Sequence, residues 1–129
     1  MIRAALGNHE NVFKEFVKSW ICLLSMGKFE EAVKQIDAPN NYGIRWSTES
    51  IQKVLEDYIG KGVSFSIIDP NNMEGDGRPN LIMFNGLKSF GFDFALPING
   101  KWSDLTIQFE FTKKPKGYYA VVLHDIHVL

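Results

Sequence analysis

From Leu105 to Thr112 apolar and polar residues alternate without a break, Leu105, Ile107, Phe109 and Phe111 against Thr106, Gln108, Glu110 and Thr112. A period of two marks a strand with one buried and one wetter face. After the turn-forming run Lys113-Lys-Pro-Lys-Gly117 comes a second arm, Tyr118 to Leu129, which is apolar on both faces through Val121, Val122 and Leu123. The two arms predict a long β-hairpin whose second strand has a neighbour within the sheet and cover over part of both sides. The pattern leaves the phase of that second strand open. Either Ala120, Val122, His124 and Ile126 or Tyr119, Val121 and Leu123 join the outer surface.

A sheet with one apolar face needs something to bury it, and the first half of the chain supplies helices. Asn8 or Asn11 caps a helix in which Val12, Phe13, Phe16, Val17, Trp20, Ile21, Leu23 and Leu24 recur at spacings of three and four. Gly27 is placed to end it in the left-handed conformation of a C-terminal cap. Lys28 to Ile36 reads as a shorter helix, stopped by Asp37-Ala38-Pro39-Asn40-Asn41. Ser47-Thr48-Glu49 starts a third, with Ile51, Val54, Leu55, Tyr58 and Ile59 on one face and Gly60 and Gly62 at its close. Val63 to Ile67 alternates as a short strand, Asp69 to Pro79 is a polar loop, and Leu81–Phe84 and Ser89–Ile98 are strands. In the last of these Phe90, Phe92, Phe94, Leu96 and Ile98 share one face, and Ser89, Gly91, Asp93 and Ala95 the other.

The order is helices first and strands after, which predicts an α+β domain: three N-terminal helices packed on a curved antiparallel sheet of four to six strands, residues 1–129 forming one domain. The spacings bring Phe16, Trp20, Ile51, Leu55, Ile107 and Phe109 into one core. Lys and Arg number 14 against 15 Asp and Glu, so no net field draws in a polyanion, and a nucleic-acid partner is not expected. No run reaches the ~18–20 apolar residues of a membrane span, and Met1 to Asn8 lacks the apolar core of a secretory leader. Neither a membrane nor export is expected, and a cytoplasmic location is. Cys22 lies inside the apolar helical pattern and reads as a small buried hydrophobe.

The first helix, the turn Met26-Gly-Lys-Phe-Glu-Glu-Ala32, Trp46 with its capped helix and the strands that follow resemble the cone-shaped fold of the nuclear transport factor 2 and ketosteroid isomerase superfamily. More narrowly, Ser103-Asp-Leu-Thr106 followed by Asp125-Ile-His-Val-Leu129 resembles a family of small bacterial domains that end in this way. The resemblance implies a curved sheet around helices. It leaves function open, because that fold serves isomerases and interaction modules alike.

An isomerase of that type needs a carboxylate base in an apolar pocket and a donor for the developing oxyanion. Asp93 is the first candidate base and Glu110 the second, with Tyr42 or Tyr58 as donors, although Asp93 shares its strand face with Ser89, Gly91 and Ala95, away from the cone interior. Trp46 and Trp102, at the ends of elements, are candidates to line the mouth of a pocket. The candidate ligand-binding residues are thus Trp46, Tyr58, Asp93, Trp102 and Glu110, and no catalytic residue is assigned. No His or Cys set stands at metal-ligand spacing, so neither a metal nor a cofactor is expected. On a regular strand His124 and His127 fall on opposite faces, whereas Asp125 and His127 share one. The function these readings favour is a protein-binding module of the immunity or adaptor kind, the alternative being a small-molecule binder or isomerase-like protein. The outer sheet face, with Gly91, Asp93, Ala95, Thr106, Gln108 and Glu110 beside an apolar strip of the last strand, is expected to pack against a second copy as a homodimer.

Overall fold

The alternating strands assemble as the periodicity requires. In a computed structural model, which describes every residue except Asn85 and Leu87, five strands form one curled antiparallel sheet. They are β1 (Ile2–Arg3), β2 (Asn80–Phe84), β3 (Ser89–Ile98), β4 (Lys101–Lys113) and β5 (Tyr118–Val128), in the order β1-β5-β4-β3-β2. The β3–β4 connection is the two-residue turn Asn99-Gly100, both with positive φ (53° and 81°), the geometry whose twist matches a tight hairpin. The second arm of the C-terminal hairpin does have a neighbour on its far side. β1 pairs with Tyr118 and Tyr119, and further along the same edge Ala38 makes a parallel bridge to Val122 while the Asp37 carboxylate accepts from the Val121 N–H at 2.7 Å.

Three helices precede the main sheet: α1 (His9–Ser25), α2 (Phe29–Lys34) and α3 (Thr48–Ile59). Asn8 occupies the cap position of α1 without a side-chain cap bond, whereas Ser47 and Ser50 close a reciprocal capping box on α3. Gly27, with φ +74°, ends α1: its N–H donates to the Leu24 carbonyl at 3.0 Å and the Lys28 N–H reaches back to Leu23 at 2.9 Å, the paired bonds of a Schellman cap.

The inner face of the sheet is aromatic and filled. Phe13 lies flat on Phe111, centroids 4.1 Å apart, and Trp20 stands edge-on to Phe109 at 5.1 Å, with Phe16 at 5.6 Å from the same ring. Trp20, Ile51, Leu55, Ile107 and Phe109 are buried together and Phe16 packs against them, the core the spacings anticipate. His9 is buried at the start of α1, stacked on Phe90 and sharing a hydrogen bond with the Tyr119 hydroxyl at 2.9 Å, and burial pushes the Tyr119 hydroxyl pKa up.

One expectation needs correction, and one element was not foreseen. Residues Val63 to Ile67 form no strand: Val63 is exposed and the only ladder contact is a single bridge from Ile67 to Ile98, because the neighbouring position is closed by the Asn99 side chain accepting from the Ser66 N–H at 2.8 Å. β1 carries no alternation long enough to be seen in the sequence and exists because β5 offers it a free edge.

Candidate functional site

Strand register arranges the outer face in rows. Asn80, Asp93, Gln108 and Asp125 form one row across β2, β3, β4 and β5; Ile82, Gly91, Glu110 and Val122 form the next; Phe84, Ser89, Thr112 and Ala120 the one beyond. On the other side of Asp93 the row is Ala95, Thr106 and His127. No helix is needed to explain the low exposure of Ala95, Ser89, Thr106 and Ala120, since small side chains in a sheet are screened by their cross-strand neighbours. At Gly91 the absent side chain matters: an added Cβ would stand 3.0 Å from the Phe84 ring, so Phe84 and Ile82 fold over the glycine as a ridge.

The last strand takes the phase with Tyr119, Val121 and Leu123 inward and Ala120 and Val122 outward, but it does not keep that phase. Phe109 pairs with Leu123 and Gln108 with Asp125, so His124 is an extra residue, a β-bulge. The bulge turns Ile126 inward opposite Ile107 and corrects the expectation for the histidines. His124 and His127 lie on the same face of the sheet, the outer one. His124 lines the groove that holds Asp93, and His127 stands in the row beside it, its Nδ1 bonded to Asp125.

The groove has a volume of about 450 Å³, with Gly91, Asp93, Gln108 and Glu110 as its floor, Ile82 and Phe84 as one wall, and His124 and Asn41 as the other. Burial raises the Asp93 pKa, opposed by a hydrogen bond from Gln108, by the charges available on His127 and His124, and by a hydrogen bond from Asn80. Glu110 is drawn sideways by the Ser89 hydroxyl, which donates to its Oε1 at 2.9 Å. Tyr42, among the most exposed aromatic residues, hangs beside His124 with ring centroids 6.2 Å apart. A second hollow, of about 590 Å³, adjoins the first across Glu110 and is lined by Met1, Ala38, Pro39, Lys114, Ala120 and Val122.

Of the residues singled out in the sequence as site candidates, the fold brings Asp93 and Glu110 together with Tyr42 close by, and places Trp46, Tyr58 and Trp102 elsewhere. Trp46 is buried in the core, where its indole N–H finds no acceptor among the described residues. Trp102 packs edge-on against Phe94 and donates to the Glu74 carbonyl at 2.8 Å, lining a separate surface cleft beside Met73 and Gly100. The Tyr58 hydroxyl is held by Asp104 in a short hydrogen bond, which together with burial pushes its pKa up. Cys22 is half-buried rather than buried, and burial, the hydrogen bond to Asp69 at 3.4 Å and that carboxylate's charge all raise its pKa, the reverse of what a nucleophilic thiolate needs. The largest described cleft, about 740 Å³, lies between α1, α3 and residues 61–67, and its charged lining is Glu56 and Lys61. Among the described residues no group of three His, Cys, Asp or Glu side chains could hold a metal ion, and no helix is long and apolar enough to cross a membrane.

Sequence reasoning set Gln108 on the outer face with Asp93 and left the face of His124 open; it missed Asn80 as the neighbour of Asp93 in its row and Asn41, Ile82 and Phe84 as walls of the groove. The row Asn80–Asp93–Gln108 requires the β2–β3–β4 register, and His124 joins it only through the bulge. The two short blocks at the end of the chain also prove to be one structural unit, because Leu105, Thr106 and Ile107 pair with Val128, His127 and Ile126.

Residues 21–129 match a family described as a domain of unknown function, DUF7668. The chain belongs to this family. The DUF7668 match begins within α1 and takes in α2, α3 and β2 to β5, so the groove, the bulge and both terminal blocks lie inside it. No curated protein matches the chain.

Proposed function

We propose that this protein is a protein-binding module, of the immunity or adaptor kind, and that its docking surface is the outer face of the sheet. The observation that carries the reading is the exposed ridge of Ile82 and Phe84, 39% and 44% exposed, standing beside a floor of small residues. Exposed apolar side chains gathered on a firm sheet beside polar groups are how interaction surfaces are built. The inner face adds support: it is occupied by Phe13, Phe16, Trp20 and their sheet partners, so aromatic packing fills the space where a superfamily enzyme would keep its pocket.

We also propose that the architecture is of the nuclear transport factor 2-like type. Three helices followed by a curled antiparallel sheet with its aromatic face turned toward them support this. One observation favours the alternative, a small-molecule binder: Asp93 is a carboxylate with a raised pKa beside an imidazole and two carboxamides, which is the equipment of a proton-transfer or polar-ligand site.

A photo-crosslinking residue in place of Phe84, with the chain expressed in its own cells, separates the two. Covalent capture of a protein chain at position 84, lost when Gly91→Arg fills the groove, is the expected result. A tightly held small molecule in native mass spectra of the freshly purified chain, with no protein captured at position 84, would overturn the docking reading.

A further inference from the structure

We infer that the occupant of this face is a second copy of the chain, packed sheet on sheet about a two-fold axis that runs along β4. The inference rests on the docking reading above and names its partner. A two-fold axis in the plane of contact, parallel to β4, sets each flank of one sheet over the opposite flank of the other, so that whatever stands on β3 meets what stands on β5 at the same level. The outer face is complementary to itself under that operation, in shape and in charge.

The shape term comes from the two flanks. On the β2 side Ile82 and Phe84 project as a ridge; at the same levels on the opposite flank a hollow runs from Glu110 and Thr112 on β4 over Ala120 and Val122 to Ala38 and Pro39 beyond β5. The axis places the ridge of each copy in the hollow of the other, and the small floor of Ser89 and Gly91 under Ala120 and Val122 of the partner subunit. The hollow, at about 590 Å³, has room for both side chains.

The charge term comes from the rows. Asp93, with no Lys or Arg among the groove's lining, stands on β3, and the imidazoles of His124 and His127 stand on β5 at or next to its level. Asp125 shares that level, but its carboxylate is already engaged by His127 Nδ1 and by the Ile126 N–H at 2.8 Å. The axis therefore sets each Asp93 against His124 of the partner subunit, twice over. Glu110, on β4, would otherwise face its own copy across the axis; the Ser89 hydroxyl pulls it toward β3, the flank that faces the partner's hollow, whose charged lining is Lys114, Glu110 and Asp37, the last held by the Met1 amino group at 3.1 Å. Four strands about 4.8 Å apart and four rows about 6.8 Å apart give a footprint of roughly 500 Å² in projection, the scale of a standard interface once side-chain relief is counted. Each groove, open on one side in a single chain, becomes a chamber closed by the partner, so the surroundings of Asp93 are complete only in the pair.

The test uses two charge variants, Asp93→Lys and His124→Glu, with circular dichroism to confirm that both fold. Sedimentation at tens of micromolar should show the wild-type chain as a dimer and each variant alone as a monomer, its self-association weakened at least about thirty-fold. Mixed in equal amounts, the two variants should form a one-to-one heterodimer, visible by native mass spectrometry, because the introduced ammonium of one then meets the introduced carboxylate of the other across one half of the interface while the other half keeps its native pairing. A monomeric wild type, variants that remain dimeric, or a mixture that stays monomeric would overturn the inference. A monomeric wild type that still captures another protein through position 84 would overturn it while leaving the docking reading in place.

Discussion

Replacing Phe109 with alanine tests which side of the sheet carries the stability. Phe109 is 1% exposed and its ring meets Trp20 and Phe16 edge-on and Phe111 in a stack at 6.0 Å, so its removal opens a cavity bounded by three other rings that cannot all close in. Truncating a buried phenylalanine costs about 3–5 kcal/mol, and the loss of three aromatic contacts, each worth about 0.5–1.5 kcal/mol, points to the upper half of that range. Against a total of about 5–15 kcal/mol for a domain, about 4 kcal/mol lowers a urea midpoint by roughly 2 M at a slope of about 2 kcal/mol/M. The matched control is Phe84→Ala on the outer face, 44% exposed, which in dilute protein should cost less than about 1 kcal/mol. Urea unfolding followed by tryptophan fluorescence measures both. A loss below about 1 kcal/mol for Phe109→Ala, or equal losses for the two, would refute the assignment of the inner face as the core.

Trp46→Phe should cost less than about 1 kcal/mol, since the indole N–H it deletes has no acceptor among the described residues, whereas Trp20→Phe removes a 2.9 Å bond to the Ala32 carbonyl and should cost about 1–3 kcal/mol; thermal melts of the two variants compare them directly. Asp93→Asn should stabilise the single chain near neutral pH and change little in acid. Its folded pKa lies above the unfolded value, so the carboxyl favours folding at low pH, and that contribution is lost as pH rises from about 3.9 through the folded pKa. Urea midpoints of the two proteins from pH 3 to 8 at high dilution would show their difference growing with pH, and a difference independent of pH would remove burial as the cause. Deleting His124 leaves Leu123 and Ile126 two apart, so plain alternation keeps Ile126 opposite Ile107 and the cost should stay below about 1 kcal/mol, whereas deleting His124 and Asp125 together carries Ile126 to the outer face and should cost about 2–5 kcal/mol; equal urea midpoints for the two deletions would show that the phase of Ile126 is not what the extra residue preserves.

The elements legible in the sequence are those whose partners lie close along the chain. The strict alternation of Leu105 to Thr112 needs only the neighbouring hairpin arms to be satisfied, and Gly27 with Lys28 closes α1 through bonds five residues long or shorter. β1 was not legible because two residues hold no period, and what orders them is an edge 115 or more positions away. Val63 to Ile67 failed for the converse reason. Its alternation is that of a strand, but the position beside Ile98 and Asn99 leaves room for one bridge, and the Asn99 side chain takes the next backbone donor.

The candidate site was half legible, and the missing half turns on one residue. Asp93 and Glu110 could be placed on the outer face from the phenylalanines that alternate with them. The histidines could not, since counting by twos through Tyr118 to Leu129 assumes that no residue is extra, and nothing in the pattern Val121-Val-Leu-His-Asp125 marks where one is. The surrounding structure makes the choice. Leu123 and Ile126 are both apolar and only three apart, and both reach the inner face if a residue is spent between them. His124 and Asp125 are the pair that tolerates being turned outward together, and Asn40, whose side chain donates to the His124 carbonyl at 3.0 Å, satisfies an acceptor that the bulge removes from the ladder. Burying Ile126 therefore determines that His124 faces the groove. The same adjustment that completes the core delivers an imidazole to the outer face beside Asp93, so the core and the groove are fixed by one irregularity in one strand.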